Sequence, residues 1–294
     1  MTDVLFTLLL ILLYTLQSVL CKLFSNHYPG REDLSSPIYT IVSGISVALI
    51  TFAVSGFQFS AQPMTLLLVV VNALALITFN TSLIKASAEG PFSAVIVFQV
   101  AGGVIIPTFV TTVFFGTPIT PVKILGIIVL IASVYLISRK PGESFKNKKK
   151  YFLFCFLLAI ANGVYGSLTE IQQRLTGEAE SQEMVILSYA LAAVISMGIL
   201  WKQEKKDVFS AFKQNKKSLL LLIACCAVVA TAINAYVMIL PLISNKAVLY
   251  SFDNSGVFML STLFSFIFFK EKLTKANLLG CLVLCAALAC ISLF

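Results

Sequence analysis

The chain has 294 residues, of which 59% are hydrophobic and 12% charged, where a soluble domain carries roughly 25% charged residues. That much apolar surface excludes an aqueous globular fold and makes lipid the main solvent. The net charge is +8, but the basic residues cluster between apolar runs and no RNA or DNA motif accompanies them. They suit topology control beside anionic lipid, and nucleic acid is not an expected partner.

Ten apolar runs are each about 20 residues long, enough to cross a bilayer as helix. They fall at about 3–24, 36–56, 64–86, 91–115, 121–139, 150–173, 183–201, 218–240, 245–269 and 274–293. The first is expected to be a retained membrane helix, because Met1-Thr2-Asp3 lacks a basic n-region and the run to Leu20 lacks a small-residue cleavage site. Lys22 is expected to snorkel from its end to the interface, with His27 in the loop beyond. The connections at Ser87–Gly90 and Leu242–Ser244 are so short that the flanking helices form antiparallel hairpins. Pro63, Pro91, Pro121 and Pro241 stand at span ends, where proline is tolerated or stops a helix. Pro107 lies inside the fourth span and predicts a kink. Glu170 with Arg174, and Lys85 with Glu89, have the i,i+4 spacing of helical ion pairs near the membrane surface.

A repeat organises these spans. A shift of 154 positions carries Asn80 onto Asn234, Gly102 onto Gly256, Phe114-Phe115 onto Phe268-Phe269 and Thr120 onto Thr274. It also carries Leu125-Gly126 onto Leu279-Gly280, Val129-Leu130 onto Val283-Leu284 and Ile137-Ser138 onto Ile291-Ser292. The fold class expected is an all-α integral membrane protein with ten transmembrane helices in two inverted five-helix repeats. An odd helix number starts the second half on the opposite side of the membrane. The halves are residues 1–140 and 151–294, joined by a basic linker at 141–150 that contains Lys146, Lys148, Lys149 and Lys150.

Nearly all basic residues fall after spans one, five, seven and nine: Arg31, Arg139 to Lys150, Lys202 to Lys217, then Lys270, Lys272 and Lys275. The alternate loops carry little beyond Lys123, Arg174 and Lys246, and the one with Glu178, Glu180 and Glu183 is acidic. Positive residues stay cytoplasmic, so both termini are expected outside.

Polar side chains in hydrocarbon need a partner, a cavity or water. Asn80 corresponds to Asn234, and Gln99 to Asp253. Their distances from the adjacent turns place all four roughly 15 Å from a membrane face, half of a core about 30 Å thick, so the four converge on the midplane. Asp253 is a carboxylate deep in a predicted span, in the run YSFDNSG. Desolvation penalises its anion. It either takes up and releases a proton during a transport cycle, contacts substrate, or stays protonated and locks helices together. Tyr250 and Asn254 flank it; Tyr14 and Gln17 in span one and Asn162 and Tyr165 in span six add further polar tips. Tyr14 and Tyr165 suit either the edge of a planar solute or bundle packing. The two asparagines and Gln99 serve either substrate or interhelical hydrogen bonding. Gly102-Gly103, Gly163, Gly166 and Gly256 allow close helix approach, with hinge motion as the alternative. The seven cysteines all lie in or at the ends of apolar runs and read as small buried residues; no zinc-type spacing is present, and neither metal nor cofactor is expected.

The stretch Phe264–Phe294, FSFIFFKEKLTKANLLGCLVLCAALACISLF, resembles the repeat signature of the EamA-type family in the drug/metabolite transporter superfamily. Phe269, Glu271, Leu273-Thr274 and Gly280 carry the match; the first half repeats the frame at Phe114–Ile137, with Thr117 in place of the acidic residue. The resemblance implies a basket-like bundle of ten helices that moves a small metabolite by alternating access. Members carry amino acids, nucleotide precursors, sugars and other solutes, and usually keep both termini in the cytoplasm, opposite to the orientation the charges give here.

The sequence therefore predicts a multi-pass secondary transporter of the plasma membrane. Its expected cargo is an amino acid, a nucleoside-like or an amphipathic solute, bound by Asn80, Gln99, Asn234, Tyr250, Asn254, Tyr14 and Tyr165. Asp253 is the candidate for proton coupling, and a functional monomer is expected, since one duplicated chain supplies both halves. The alternatives are a non-transporting scaffold or receptor, and an intramembrane enzyme. The latter lacks a convergent nucleophile, base or metal set, and an ATP-driven pump lacks a nucleotide motif.

Overall fold

The structure is a computed structural model that describes residues 2–138, 147–176, 180–202, 212, 215–239, 246–272 and 274–293, with backbone only at 2, 3, 239, 246–252, 292 and 293. Among the described residues there are ten α-helices and no strand. They are α1 (Thr2–His27), α2 (Glu32–Val54), α3 (Pro63–Glu89), α4 (Phe92–Phe115), α5 (Pro121–Ser138), α6 (Lys148–Thr176), α7 (Ser181–Lys202), α8 (Lys216–Ile239), α9 (Lys246–Phe269) and α10 (Lys275–Leu293). Helices α1 to α8 are long and apolar enough to cross a membrane; in α9 and α10 the shorter apolar stretches Asp253–Phe269 and Lys275–Ile291 stand out. Segment 141–146 of the expected linker, the turn at Leu242–Ser244, and Glu178, Lys205, Lys206, Lys213 and Leu273 lie outside the described residues.

Local chemistry sets the helix ends. Glu32 and Asp33 favour the positive end of the α2 dipole, and Pro63 starts α3 where its missing N–H costs nothing. Helix α4 runs on through Pro107. His27, expected in a loop, is instead the last residue of α1. Its Nδ1 lies 2.8 Å from the Leu23 carbonyl, and its own carbonyl accepts from Asn215 Nδ2 at 2.9 Å, which satisfies the helix end.

The α4–α5 and α9–α10 corners are built alike. Gly116 and Lys270, related by the 154-residue shift, both take the left-handed conformation, at φ 64° and 54°. The next residue donates backward in each: Thr117 N to Thr111 O at 3.4 Å, Glu271 N to Ser265 O at 3.2 Å. The following helix is then N-capped in the same way, Thr120 Oγ1 accepting from Lys123 N and Thr274 Oγ1 from Asn277 N, each at 3.2 Å. The repeated threonine of the sequence signature is thus a helix cap. In the second corner Asn277 Nδ2 also donates to the Leu136 and Ile137 carbonyls, which ties α10 to the end of α5.

The helix pairings have a regular pattern. Helix α2 packs on α7 and α5 on α10; α6 packs on α3 and α4, and α1 on α8 and α9; α2 meets α8, and α7 meets α3. A Cβ on Gly126 would sit 2.7 Å from Ile291 Cγ1, and one on Gly280 would sit 2.8 Å from Ile137 Cγ1. Two apolar cores result. One joins α1, α2, α3, the start of α4, α6, α7 and α8 around Phe24, Tyr39, Leu83 and Leu158. The other joins α1, α4, α5, α9 and α10 around Phe92, Leu130, Phe258 and Leu284. Outward faces stay apolar, as with Ile124, Leu125, Ile128, Ile131 and Tyr135 along one side of α5. Such a face suits lipid.

Inside this solvent several hydroxyls find an acceptor on their own helix. Ser18, Thr40, Ser43 and Ser167 donate to the carbonyls of Tyr14, Ser36, Tyr39 and Gly163, four residues back on their own helices. The ion pair expected at Glu170–Arg174 forms, at 2.7 Å. The Lys85–Glu89 pair does not; Lys85 Nζ lies 5.4 Å from the centre of the Phe154 ring instead, and Glu89 Oε2 is buried without a hydrogen-bond partner.

Candidate functional site

The polar residues named from the sequence are distributed over six helices. Asn80 on α3 is buried and donates through Nδ2 to Thr40 Oγ1 of α2 at 3.3 Å. Asn234 on α8 is also buried, but its Nδ2 turns back to the Ala230 carbonyl of its own helix at 2.8 Å. The two related amides therefore have different partners, and each of these hydrogen bonds is a structural one.

Gln99 and Asp253 are different in kind. Each is the eighth residue of a 24-residue helix, about 10 Å along from the first residue. Gln99 Oε1 and Asp253 Oδ1 are buried and have no hydrogen-bond partner. Among the described residues the other acceptor-only side-chain oxygens in this condition are those of Asn72, Glu89 and Gln172, and the 154-residue shift relates none of these three. An orphan buried acceptor costs roughly 1–3 kcal/mol, so two in equivalent places require an explanation. Gln99 is fixed by its backbone, whose carbonyl accepts from Asn162 Nδ2 of α6 at 2.8 Å. Asn162 reaches it because Gly103 has no side chain: a Cβ there would stand 2.5 Å from Asn162 Nδ2. The backbone contact at Gly102 is closer still, with a virtual Cβ 2.0 Å from the Ala159 carbonyl oxygen. Asn254, beside Asp253, is half-buried. The side chain of Tyr250 lies outside the described residues.

Tyr14 and Tyr165 come together on a third tyrosine that sequence reading passed over. The hydroxyl ends of Tyr165 of α6 and Tyr189 of α7 are neighbours, and Tyr14 of α1 lies near Tyr189. All three pack on the larger core. Tyr189 was legible as a polar tip in an apolar span by the same rule that selected Tyr165. Asn72 was too; its Nδ2 donates to Ser188 Oγ across α3 and α7 at 3.0 Å.

Lys22 overturns its sequence expectation. It does not snorkel to the interface but is buried, with Nζ 3.3 Å from Glu271 Oε1 and over the rings of Phe269 and Phe92, 4.4 and 5.3 Å from their centres. Glu271, the acidic residue of the signature, also accepts from the backbone N–H groups of Phe92 and Ser93 and from Ser93 Oγ. One carboxylate thus joins α1, the N-terminus of α4 and the α9–α10 link.

Residues 150–293 match the family model described as the EamA-like transporter family. A solved crystal structure aligns with 99% of this chain and 96% of its own at a TM-score of 0.64 and 14% identity, a likeness of fold alone. No curated protein matches the chain. Members of the matched family are transporters rather than enzymes. The second half of this multi-pass integral membrane protein, residues 150–293, is thus similar to the EamA-like transporter family, which belongs to the drug/metabolite transporter superfamily.

Proposed function

We propose that the protein is a secondary active transporter of the plasma membrane that moves a small polar or amphipathic metabolite by alternating access, with proton movement coupled through Asp253. The observation that carries the reading is the pair of orphan acceptors, Gln99 Oε1 and Asp253 Oδ1, at equivalent positions of α4 and α9. Interior oxygens without donors are suited to a solute or a proton that comes and goes. Asn80, Asn234, Tyr250, Asn254, Tyr14 and Tyr165 complete the proposed solute environment, in which Tyr189 joins the two tyrosines.

Two inverted repeats, 1–140 and 151–294, are part of the proposal. The matched corners, the helix pairings that exchange under the shift and the reciprocal Gly126–Ile291 and Gly280–Ile137 contacts support it. One duplicated chain supplies both halves, so the working unit is a monomer. A ligand-stabilisation screen on purified protein, followed by flux in proteoliposomes, tests the function. A stabilising metabolite with saturable uptake is the expected result; stabilisation without flux across the full screen identifies a receptor or scaffold instead.

A further inference from the structure

Two helices of the first half start without a cap of their own. Gln62 precedes α3 and Pro91 precedes α4; neither makes a side-chain capping hydrogen bond, and neither helix has an acid in its first turn. The N–H groups of such a start need acceptors from elsewhere. In both cases the second half supplies them. Glu180, just before α7, accepts from Gln62 N at 3.1 Å and from Thr65 Oγ1. Beside it Glu183 accepts from Ser60 N at 3.4 Å. Glu271, on the α9–α10 link, accepts from Phe92 N, from Ser93 N at 3.3 Å and from Ser93 Oγ at 2.8 Å. Glu180 and Glu271 are both buried, and the positive ends of the two helix dipoles favour their carboxylates.

The repeat does not impose this arrangement. The 154-residue shift carries Glu180 onto Asn26 and Glu271 onto Thr117, so the first half has no matching acids. Helix α8, the counterpart of α3, is capped by the adjacent Asn215, whose Oδ1 accepts from Ser218 N at 3.2 Å. The two acids stand at opposite ends of α3, which has 27 residues and is about 40 Å long. Between them α4 is held to α6 where Gly102 meets the Ala159 backbone, about 15 Å along the helix from Phe92.

We propose that Glu180 and Glu271 are releasable clasps, one at each end of the α3–α4 hairpin, by which the second half grips the first. Each closes the bundle at its own end. Each lets go without disturbing the other, because the Gly102 seam holds the middle. On release the N–H donors and the carboxylate exchange one another for water, so a polar clasp of this kind is reversible. As a control of transport the clasps rest on the alternating-access reading, but their existence does not.

Spin labels at Met64 and Leu175, both exposed, report the separation of the start of α3 from the end of α6. Labels at half-buried Ala88 and exposed Lys275 report the α3–α4 turn against the start of α10. The half-buried Cys281, Cys285 and Cys290 are replaced by alanine for this purpose. The parent gives one short distance for each pair. Glu180→Gln raises the ratio of long to short Met64–Leu175 distances about tenfold, within the range of ordinary conformational coupling, and leaves the Ala88–Lys275 distances as they were. Glu271→Gln does the reverse. Because Glu271→Gln also strands Lys22, Ser93→Ala serves as the milder variant at that end and Thr65→Val at the other; each removes one donor and shifts its own pair in the same direction. An unchanged distribution at its own end in folded, monodisperse Glu180→Gln or Glu271→Gln overturns the clasp there. Should either fail to fold, an unchanged distribution in Thr65→Val or Ser93→Ala overturns it equally. A variant that lengthens both pairs together overturns the independence of the two ends. End-specific distance changes in a protein that moves no solute leave the clasps standing and remove the transporter reading, whereas solute flux with unchanged distances does the reverse.

Discussion

Gly102→Ala tests the tightest helix contact in the protein. A methyl at this position would lie 2.0 Å from the Ala159 carbonyl oxygen, and 2.4 and 2.5 Å from the carbonyl carbon and Cα of the same residue. Every obstructing atom is backbone, so no rotamer change relieves the overlap. Helices α4 and α6 must separate by about 1 Å to restore ordinary contact. Separation also loosens the opposite side of the seam, where Gly163 meets the Gly102 carbonyl and Ile106. Overpacking typically costs about 1–3 kcal/mol, and a backbone obstruction belongs at the upper end. Stability then falls by about 3 kcal/mol, or about 6–12 °C in Tm for a chain of this size. Thermal unfolding of detergent-purified protein, followed by size-exclusion recovery, reads this directly. Gly198→Ala is the control, because nothing lies within 4 Å of its Cβ position. Gly166→Ala is a second, since Pro107 Cγ is an ordinary 3.7 Å away. If Gly102→Ala unfolds together with these two controls, the α4–α6 approach is not as close as described.

Further substitutions probe the corners and the site. Thr120→Ala and Thr274→Ala each remove an N-cap and should lower stability by about 1 kcal/mol, measured by the same unfolding assay; equal stability to the parent would deny the capping role. Lys270→Gly should raise stability by about 1 kcal/mol, because a lysine there holds a left-handed φ of 54° that glycine adopts without a Cβ clash; a fall in Tm would contradict the corner geometry. Asn80→Ala and Asn234→Ala should weaken solute binding more than matched changes at outward-facing polar positions, and wild-type affinity in both would make these amides purely structural. Cysteine labelling at positions 2 and 293 should occur from outside the cell; labelling from the cytoplasmic side alone would reverse the orientation given by the charges.

Much of the architecture is written locally. Apolar length marks the spans, and Thr120 and Thr274 precede helices that they cap. Gly102 and Gly163 announce a close approach. The failures are tertiary. Lys22 reads as a snorkelling side chain because its partner, Glu271, is 249 residues away in a link between helices. The spacing of Lys85 and Glu89 equals that of Glu170 and Arg174, yet the Phe154 ring receives Lys85, and no helical periodicity contains that information. His27 reads as loop, but the carbonyl of Leu23 and Asn215, just before the distant helix α8, let α1 continue to it. Equivalence under the repeat selects Asn80 and Asn234 together, although one bonds across helices and the other to a carbonyl of its own helix. The same equivalence located Gln99 and Asp253, whose oxygens share an unpartnered state. Sequence symmetry specifies position, while the surrounding side chains decide what a polar group does there.

Asp253→Asn tests the central functional proposal most directly. The amide keeps nearly the shape of the neutral acid but cannot exchange a proton, and Asp253 Oδ1 has no hydrogen-bond donor to lose. Linkage requires that a proton bound at this site and the solute influence each other's affinity if transport is coupled through it. Flux of the solute found by ligand screening is measured in proteoliposomes with and without a pH gradient, alongside solute counterflow. Coupling through Asp253 predicts that the variant folds, binds solute and retains counterflow, and that the pH gradient no longer accelerates its flux. Gradient-driven flux at the wild-type rate in Asp253→Asn would contradict the coupling and leave Asp253 a binding or packing residue.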